Sequence, residues 1–380
     1  MQNSKNLTSE LVSRKQQYSF FQYIGMLPNP DKVLSRTGKT IEAYRDLKND
    51  PHVWSCIQSR KSGLLSLDYR IIPDGASSSV LAELTTILHD IDVQQVIRDM
   101  LEALLFGYQP IEIIWKLQGA GQKYFVPERI LAKPQEWFFF DGDGLLRYRT
   151  SGNSKGEIPP PMKIICIQHE ASYLNPYGHA LLGKCYWPVT FKNGGLRFWV
   201  NFMERYGMPL LTGQYTRGAT MDETRKLAQE LANMTEDSVI VAPSDIQIQL
   251  HEAARSSSVE LYRELIKHCN SEISKAMLSQ TLTTELEGGS YAASETHFKV
   301  RRDVIQSDVR LVESGLNEII RYIVELNFGN VPAPTFTFIL DDGEADKRLE
   351  RDTKLVKSCG LTLTKQYWMS AYGFKEEELG

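Results

Sequence analysis

The sequence has little of what membrane spans, signal peptides and disulfide frameworks require. No apolar run approaches the ~20 residues that cross a bilayer, and the N-terminal stretch MQNSKNLTSELVSRKQQ is polar, without a signal-type hydrophobic region. The 5 cysteines are odd in number, widely separated and never in CxxC spacing, which is typical of free thiols in a reducing compartment. We therefore expect a protein that stays where it is made, with no membrane partner.

An excess of positive charge is also missing. The 43 Lys and Arg are outnumbered by 47 Asp and Glu, the formal net charge is -4 and the pI is about 6.0. A protein that binds nucleic acid by neutralising many phosphates needs the opposite balance. With 380 residues, of which 42% are hydrophobic and 24% charged, the chain can bury a large core in two or three structural regions.

Motifs for nucleotide chemistry are incomplete. Gly38, Lys39 and Thr40 copy the end of a phosphate-binding loop, but Val33 occupies the position of its first glycine. The segment also follows a proline-rich arm, whereas a phosphate-binding loop follows a buried strand. Helix entry is the better interpretation of these residues.

Metal sites and catalytic signatures are equally incomplete. His251 begins like a zinc-protease helix, but Arg255 stands where the second histidine belongs. Asp141, Asp143 and the DDGEAD run at 341–346 lack the spacing of a calcium loop. The 7 histidines form no pair at ligand spacing, and neither GxSxG nor a Cys/His signature occurs. The sequence predicts no catalytic residue, no metal site and no cofactor, and hence a protein that is not an enzyme.

The most informative feature that is present is a long helix over residues 294–328, with Ser294 as its N-cap and Gly329 just past its end. About 35 residues at 1.5 Å each give a rod on the order of 50 Å. Its apolar residues alternate in steps of four and three: Ile305, Val309, Val312, Leu316, Ile319, Ile323 and Leu326. This narrow apolar face suits packing against neighbouring subunits.

The first half of the chain predicts an α+β module. Helices are expected over 40–49 and 51–67, the second capped by Asp50, and a single helix over 80–106 ends at Gly107. The predicted strands are LDYRIIP, QPIEIIWKL and WFFFDGDGLLRYR, the last with a DGDG turn. Helices and strands mixed in this way are typical of the α+β class.

An aromatic helix is predicted over 187–206, interrupted by Gly194 and Gly195. Four of its aromatic residues keep roughly one face: Phe191, Phe198, Phe202 and Tyr206. They could stack on nucleic-acid bases, but packing is the favoured interpretation.

A small αβ unit is predicted over 207–256. It consists of a strand, the short amphipathic helix MDETRKLAQELANM and a pair of strands. A second long helix follows over 257–282 and opens with a capping box of Ser257 and Glu260. The order is therefore helix, small insert, helix, connection and very long helix.

The connection between the last two helices, TELEGGSYAAS, carries Gly288 and Gly289. Its backbone therefore has many accessible conformations. It is either a moving element or a plain helix connection.

Basic residues on the aromatic helix and in the first turns of the long helix are candidates for DNA contacts. They are Lys192, Arg197, Lys299, Arg301 and Arg302. Such residues are more often part of a solvated face than in contact with DNA. Their number alone therefore indicates no nucleic-acid site.

Several segments together resemble the portal proteins of tailed bacteriophages, in particular the Mu-like branch. The segments that carry the resemblance are LPNPDKVL, NDPHVWSCIQSRKSGLLSLDYRI, FWVNFMERYGMPLLTGQY, SVIVAPSDIQIQLHEA, GGSYAASETHFKVRRDVIQSDVRLVESGLNEIIRYIVELNFG and LTLTKQYWMSAYGF. Each is weak by itself, but together they are specific and cover nearly all of the chain.

The resemblance implies a ring, usually of twelve subunits, at one vertex of the capsid, through which double-stranded DNA is packaged and later ejected without sequence specificity. It implies the terminase packaging motor, the major capsid and scaffold proteins, and head-completion or tail proteins as partners. The protein would be made in the cytoplasm of the bacterial host and reside in the virion. Weak acidity fits this role, because DNA that slides through a channel should not bind it tightly.

The resemblance also implies a portal-type fold with a wing, a helical stem, a small αβ clip and a long helix. The expected regions are an extended arm at 1–39, the wing at 40–186, the first stem helix at 187–206, the clip at 207–256, the second stem helix at 257–282, the tunnel loop at 283–293, the long helix at 294–329 and a C-terminal wing segment at 330–380. The chain ends soon after Gly373, so little or no C-terminal crown is expected.

The residues expected to face DNA follow from the same resemblance. Gly288, Gly289, Ser290 and Tyr291 would form the constriction of the tunnel loop, and the three basic residues of the long helix would supply positive charge nearby. Two other classes of function stay open at this point. The chain could be a packaging-associated nuclease or ATPase, which would need a complete site, or a monomeric nucleic-acid-binding scaffold protein, which would show steep salt dependence.

Overall fold

The computed structural model describes residues 27–119, 123–206, 211–216, 218–234, 239–244, 255–280, 291–340 and 344–359, together with residues 362, 364 and 367. The chain forms two compact units, each assembled from three stretches of sequence. Unit 1 contains residues 1–62, 98–112 and 131–305, and unit 2 contains residues 63–97, 113–130 and 306–380.

Within the described residues, six helices up to Phe106 are interrupted by one short strand, and six strands then follow between Tyr108 and Gln168. The helices are α1 Lys32–Thr37, α2 Ala43–Leu47, α3 Pro51–Leu65, α4 Ser78–His89, α5 Val93–Met100, α6 Glu102–Phe106, α7 Leu181–Tyr206, α8 Met221–Met234, α9 Arg255–Leu278, α10 Tyr291–Phe328 and α11 Glu344–Cys359. The strands are β1 Tyr69–Ile72, β2 Tyr108–Gln118, β3 Tyr124–Ala132, β4 Phe138–Phe140, β5 Leu146–Thr150, β6 Asn153–Glu157, β7 Ile164–Gln168, β8 Leu211–Tyr215, β9 Val239–Pro243 and β10 Thr335–Phe338. The predicted α+β class is confirmed.

The described strands form small sheets. Two sheets have three strands each, in the orders β3-β2-β7 and β4-β5-β6, and two have two strands, β1-β10 and β8-β9. β1 pairs antiparallel with β10, with Tyr69 opposite Phe338. β8 and β9 are parallel, with Leu211 opposite Val239, so a crossover connection must separate them in sequence.

The helix predicted over 51–67 is confirmed at its N-terminus. Asp50 is the cap, because its Oδ1 accepts hydrogen bonds from the backbone N–H of His52 at 2.9 Å and of Val53 at 3.1 Å. The single helix predicted over 80–106 is wrong, since three helices, α4, α5 and α6, occupy this stretch. Asp92 Oδ1 accepts from the backbone N–H of Gln95 at 3.0 Å, a local bond that starts a new helix instead of continuing the old one.

Three predicted features of the later helices are also wrong. α7 runs without a break through Gly194 and Gly195, because packing on one side of a helix outweighs the weak propensity of glycine. Ser294 lies inside α10, which begins at Tyr291, and the intervening alanines favour helix. Ser257 likewise lies inside α9, which begins at Arg255.

The core of unit 1 contains a cluster of aromatic rings. Tyr108, Phe140 and Tyr177 meet edge to face, with centroid distances between 4.9 and 5.6 Å. The hydroxyl of Tyr177 donates to the backbone oxygen of Leu27 at 2.6 Å, and burial raises the pKa of Tyr177 to about 12. These contacts attach the chain that precedes α1 to the core.

The core of unit 2 forms around the C-terminal part of α10. The buried side chains of this part are Val309, Val312, Leu316, Ile319, Ile320, Ile323 and Val324. Ile320 and Val324 make this face wider than the predicted one, whereas Ile305 and Leu326 are only half-buried. The buried face packs with other residues of the same unit, among them Val93, Val96 and Phe336.

Polar side chains of α10 also hold strand β10. Asn317 donates from Nδ2 to the backbone oxygen of Phe336 at 3.0 Å and accepts from its N–H at 2.7 Å. Glu313 Oε1 accepts from the N–H of Phe338 at 2.8 Å. The prediction that this apolar face packs against neighbouring subunits is therefore wrong, because residues of its own chain already cover it.

A carboxylate between two ammonium groups joins three helical segments of unit 1. Glu102 lies 2.5 Å from Lys48 Nζ and 2.5 Å from Lys61 Nζ, and its side chain is 21% exposed. Burial alone would raise the pKa of Glu102, but the charges of Lys61 and Lys48 outweigh it and lower this pKa below its usual value.

We expect Glu102→Gln to lower the free energy of unfolding by about 1–3 kcal/mol at neutral pH, since it removes two charge-assisted hydrogen bonds. A lowered carboxyl pKa stabilises the fold above the unfolded value of about 4.3, and this stabilisation is lost as the pH falls through the folded pKa. Urea denaturation between pH 7 and pH 3 should show a shallower acid dependence for the variant. The exposed Glu128 is the matched control, and an equal effect of Glu128→Gln would contradict this assignment.

Candidate functional site

Helices α7 and α9 form an antiparallel pair. Trp199 stacks on Tyr262 with a centroid distance of 6.5 Å and an interplanar angle of 8°. Earlier on α7, Lys192 donates to Asn270 Oδ1 at 3.0 Å. Contacts that move backward on α7 as they move forward on α9 define the antiparallel direction. Helices are thus present in the predicted stretches 187–206 and 257–282, and α7 already begins at Leu181.

The Leu265 side chain fits between the two helices at Gly195. A Cβ atom added to Gly195 would lie 2.8 Å from Leu265 Cδ2, closer than real Cβ contacts. Gly194 differs, because an added Cβ would meet nothing within 4 Å. The absence of a side chain at Gly195 therefore lets α9 approach α7. Among the described residues, no contact requires a glycine at position 194.

The segment between α7 and α9 is a small αβ unit. Its parallel strands β8 and β9 are joined by the crossover helix α8. A capping box opens α8, because Glu223 Oε2 accepts from the N–H of Thr220 at 2.8 Å, and Thr220 Oγ1 accepts from the N–H of Glu223 at 3.4 Å. The last strand predicted within 207–256 lies outside the described residues.

A buried ion pair attaches the helix pair to the start of α3. The ammonium group of Lys192 on α7 bonds the carboxylate of Asp50, which caps α3, and also donates to Asn270 on α9. The side chains of Lys192 and Asp50 are 7% and 4% exposed. Because a buried charge is costly without a partner, this contact couples the position of α7 to the start of α3.

Polar contacts between α3 and α9 continue from this ion pair. His52 Nε2 lies 2.8 Å from Ser274 Oγ, and the Arg60 guanidinium donates to the backbone oxygen of Met277 at 2.6 Å. Ser274 is fully buried. Both helices of the pair are thus held against one helix of the unit 1 core.

The interpretation of Lys192 as part of a solvated face is wrong, because Lys192 is buried. The sequence does contain a signal for its burial, since Lys192 follows the core residues Cys185 and Val189 at steps of seven and three and shares their helical face. Its partner, Asp50, is too distant in sequence to be identified in this way.

The aromatic residues of α7 do not all pack. Phe191 is 57% exposed and Phe198 is 64% exposed, so the prediction that they pack inside the chain is wrong. Phe202 does contact Tyr262, at a centroid distance of 6.2 Å, and the side chain of Tyr206 is not among those described. The face opposite to Val189 therefore carries large apolar side chains in contact with solvent.

The predicted loop residues Gly288, Gly289 and Ser290 lie outside the described residues. Tyr291 is the first residue of α10, and its side chain is likewise not described. The position of the predicted constriction therefore stays a prediction.

The three basic residues of the long helix lie in the first half of α10. Lys299 and Arg302 are exposed, and Arg301 is half-buried. Lys299 and Arg302 share a helical face at a spacing of three, whereas Arg301 lies on a different one. The structure thus brings two of the three cations to one side of the helix.

Within the residues that the structure describes, no group of three or more His, Cys, Asp and Glu side chains is placed to hold a metal ion. Across the same residues, none of the helices combines the length and the apolar character needed to cross a membrane.

Comparison with known proteins gives consistent matches. The family described as "Portal protein of Mu bacteriophage" matches residues 41–374. The chain is 28% identical over 315 residues to the portal protein of Escherichia phage Mu, a match that covers 78% of this chain and 60% of that protein. It is 25% identical over 291 residues to the Mu-like prophage FluMu protein gp29 of Haemophilus influenzae, covering 72% of this chain and 54% of that protein. The chain thus spans less than two thirds of the length of these relatives.

Solved structures show the same fold at low sequence identity. A chain from the virion of a native gene transfer agent particle has a TM-score of 0.58 and 12% identity, with 91% of this chain and 94% of that chain covered. A chain from the neck of an empty gene transfer agent particle, computed with C6 symmetry, has a TM-score of 0.58 and 13% identity, with 92% and 94% covered.

Proposed function

Because this chain belongs to the family of portal proteins of Mu bacteriophage, we propose that its copies form a ring at one capsid vertex that serves as the channel for packaging and ejecting double-stranded DNA. The observation that carries the proposal is the order of α7, a small αβ unit, α9 and the long α10, inside the region 41–374 that the family matches. A head-to-tail contact repeated around a closed axis generates such a ring.

The regions then receive roles. The wing comprises residues 40–186 and 330–380, the stem helices are α7 and α9, and the clip is the small αβ unit between them. The tunnel loop comprises residues 283–293, and α10 leads from it back into the wing. The attachment of both stem helices to α3 supports this division, because a stem must keep its position while DNA moves past it.

The proposed partners follow from these roles. The clip is the docking site for the terminase packaging motor and later for head-completion or tail proteins, and the wing contacts major capsid and scaffold proteins. We propose a ring of twelve copies in the virion, made in the cytoplasm of the bacterial host. The formal net charge of -4 per chain supports weak contacts with DNA that carry no sequence specificity.

The mass of the purified protein tests the proposal. Light scattering combined with negative-stain imaging should give rings with an axial hole and a mass near twelve times 43.3 kDa. A protein that stays monomeric and hydrolyses ATP or cleaves DNA would instead favour the packaging enzyme. A monomer whose DNA affinity falls steeply with salt would favour the nucleic-acid-binding scaffold.

The basic residues at the start of α10 allow a test of the channel. We expect the Lys299→Ala, Arg302→Ala double variant to assemble normally but to package DNA at least about threefold less efficiently, because it removes two positive charges beside the proposed tunnel loop. The amount of packaged DNA per particle is the measurement. Arg310 is exposed farther along the same helix, so Arg310→Ala is the control. Equal packaging by the double variant and the wild type would show that Lys299 and Arg302 do not act in the channel.

A further inference from the structure

The solvent-exposed face of α7 carries a row of aromatic side chains with a gap. Trp187, Phe191 and Phe198 are 44%, 57% and 64% exposed. With Gly194 between Phe191 and Phe198, the spacing is four, three and four residues, which keeps all four positions on one helical face. Trp187 and Phe191 stack on each other with a centroid distance of 5.7 Å. We call these four residues the aromatic stripe.

Exposed apolar side chains of the neighbouring helix α9 extend the apolar surface beyond the stripe. Leu265 of α9 lies against Gly195, beside the stripe, and is 38% exposed, while Leu261, one turn earlier, is 71% exposed. The opposite face of α7 is in the core through Cys185 and Val189. The pair therefore presents one apolar surface on the side that faces away from the core of unit 1, and contiguous apolar surfaces of this kind mark interaction sites.

Gly194 indicates what kind of partner fits. Glycine inside a helix is less favourable than alanine, although the open space around Gly194 would accept a Cβ atom. Its lack of a side chain leaves a depression between Phe191 and Phe198. Such a depression suits the close approach of another backbone, as between helices that meet at small residues, with bulky side chains on either side.

Other occupants fit the stripe less well. The apolar face of α10 cannot be the occupant, because residues of its own unit already cover it. Duplex DNA presents phosphates to a channel wall and keeps its bases stacked, so it offers little to exposed aromatic rings. A protein surface with a helix at its contact is therefore the fitting occupant.

We infer that the aromatic stripe is the contact between adjacent copies of this chain, with a helix of the second copy packed against Gly194 between Phe191 and Phe198. This inference rests on the proposed ring, which supplies a second copy beside every stem. It goes beyond the ring by naming the residues that hold neighbouring stems together.

The Gly194→Ala variant tests the inference because its two effects have opposite signs. In the dissociated chain it should raise the melting temperature by about 1–3 °C, since alanine favours the helix and meets no atom. In the ring it should raise the concentration needed for half-assembly at least about tenfold, since the new methyl group blocks the backbone of the second copy. Assembly at the wild-type concentration would overturn the inference.

Charged substitutions give a second measurement. Phe191→Glu and Phe198→Glu should each reduce assembly at least about tenfold without changing the circular dichroism spectrum, because both side chains are exposed in the single chain. Leu174→Glu is the matched control, since Leu174 is 67% exposed and lies outside the helix pair. Rings that form equally with Phe198→Glu would overturn the inference but leave the proposed function standing, whereas a wild type that never forms rings would overturn both.

A photo-crosslinking amino acid at position 198 identifies the occupant directly. In assembled rings the expected product is a dimer of this chain, with the cross-linked peptide mapped to the second copy by mass spectrometry. Cross-links to DNA or to a capsid protein in particles, in place of this dimer, would overturn the inference.

Discussion

Replacing Lys192 with alanine should lower the free energy of unfolding by about 3–5 kcal/mol, one of the largest single effects expected in this chain. The change leaves the carboxylate of Asp50, 4% exposed, buried without its cationic partner. It also removes the bond from Lys192 to Asn270 on α9. Urea denaturation followed by circular dichroism measures the loss.

The double variant Asp50→Asn, Lys192→Met is the control for this effect. Asparagine keeps an oxygen that can cap α3, and methionine fills much of the volume of lysine without a charge. Replacement of a buried ion pair by neutral groups is often nearly neutral, so the double variant should recover more than half of the lost stability. A loss of less than about 1 kcal/mol for Lys192→Ala, well below the cost of breaking a buried pair, would show that the ion pair does not hold the helix pair.

Ile323→Ala should lower the free energy of unfolding by about 2–5 kcal/mol, because Ile323 is fully buried in the face of α10 that forms the core of unit 2. The lost side chain leaves a cavity between packed residues that relax only in part. Thermal unfolding by calorimetry is the measurement.

Leu326→Ala is the matched comparison, since Leu326 belongs to the same predicted apolar face but is only half-buried. We expect it to cost about 1 kcal/mol or less, as for partly exposed positions. Equal losses of unfolding free energy for the two variants would contradict this prediction. They would show that Leu326 contributes to stability as much as the buried Ile323.

Local structure is predictable from sequence where one helix or strand suffices. The spacing identifies Asp50 as a cap, the segment MDETRKLAQELANM coincides with α8, and the period of the apolar residues in α10 identifies its buried face. These features depend on residues a few positions apart, for which spacing and capping chemistry are direct signals.

Features that depend on distant residues are not predictable in the same way. The sequence of the apolar face of α10 does not indicate whether this face packs against Phe336 of the same chain or against another subunit. The pairing of Lys192 with Asp50 joins residues far apart in sequence, and the exposure of Phe198 follows from which side of α7 meets the core. Periodicity identifies a face, but tertiary packing decides what covers it.

The pairing of β1 with β10 sets an order of events during synthesis. Tyr69 and its strand leave the ribosome long before Phe338, its partner in the register, and α10 must follow before the core of unit 2 can close. Contacts between such distant residues slow folding, because the intervening chain must first be brought together. The nascent chain therefore exposes the edge of β1 and the apolar side chains of α4 and α5 until nearly all of these elements have been made. A chain stopped before residue 335 would leave them uncovered, which makes early termination a direct route to aggregation.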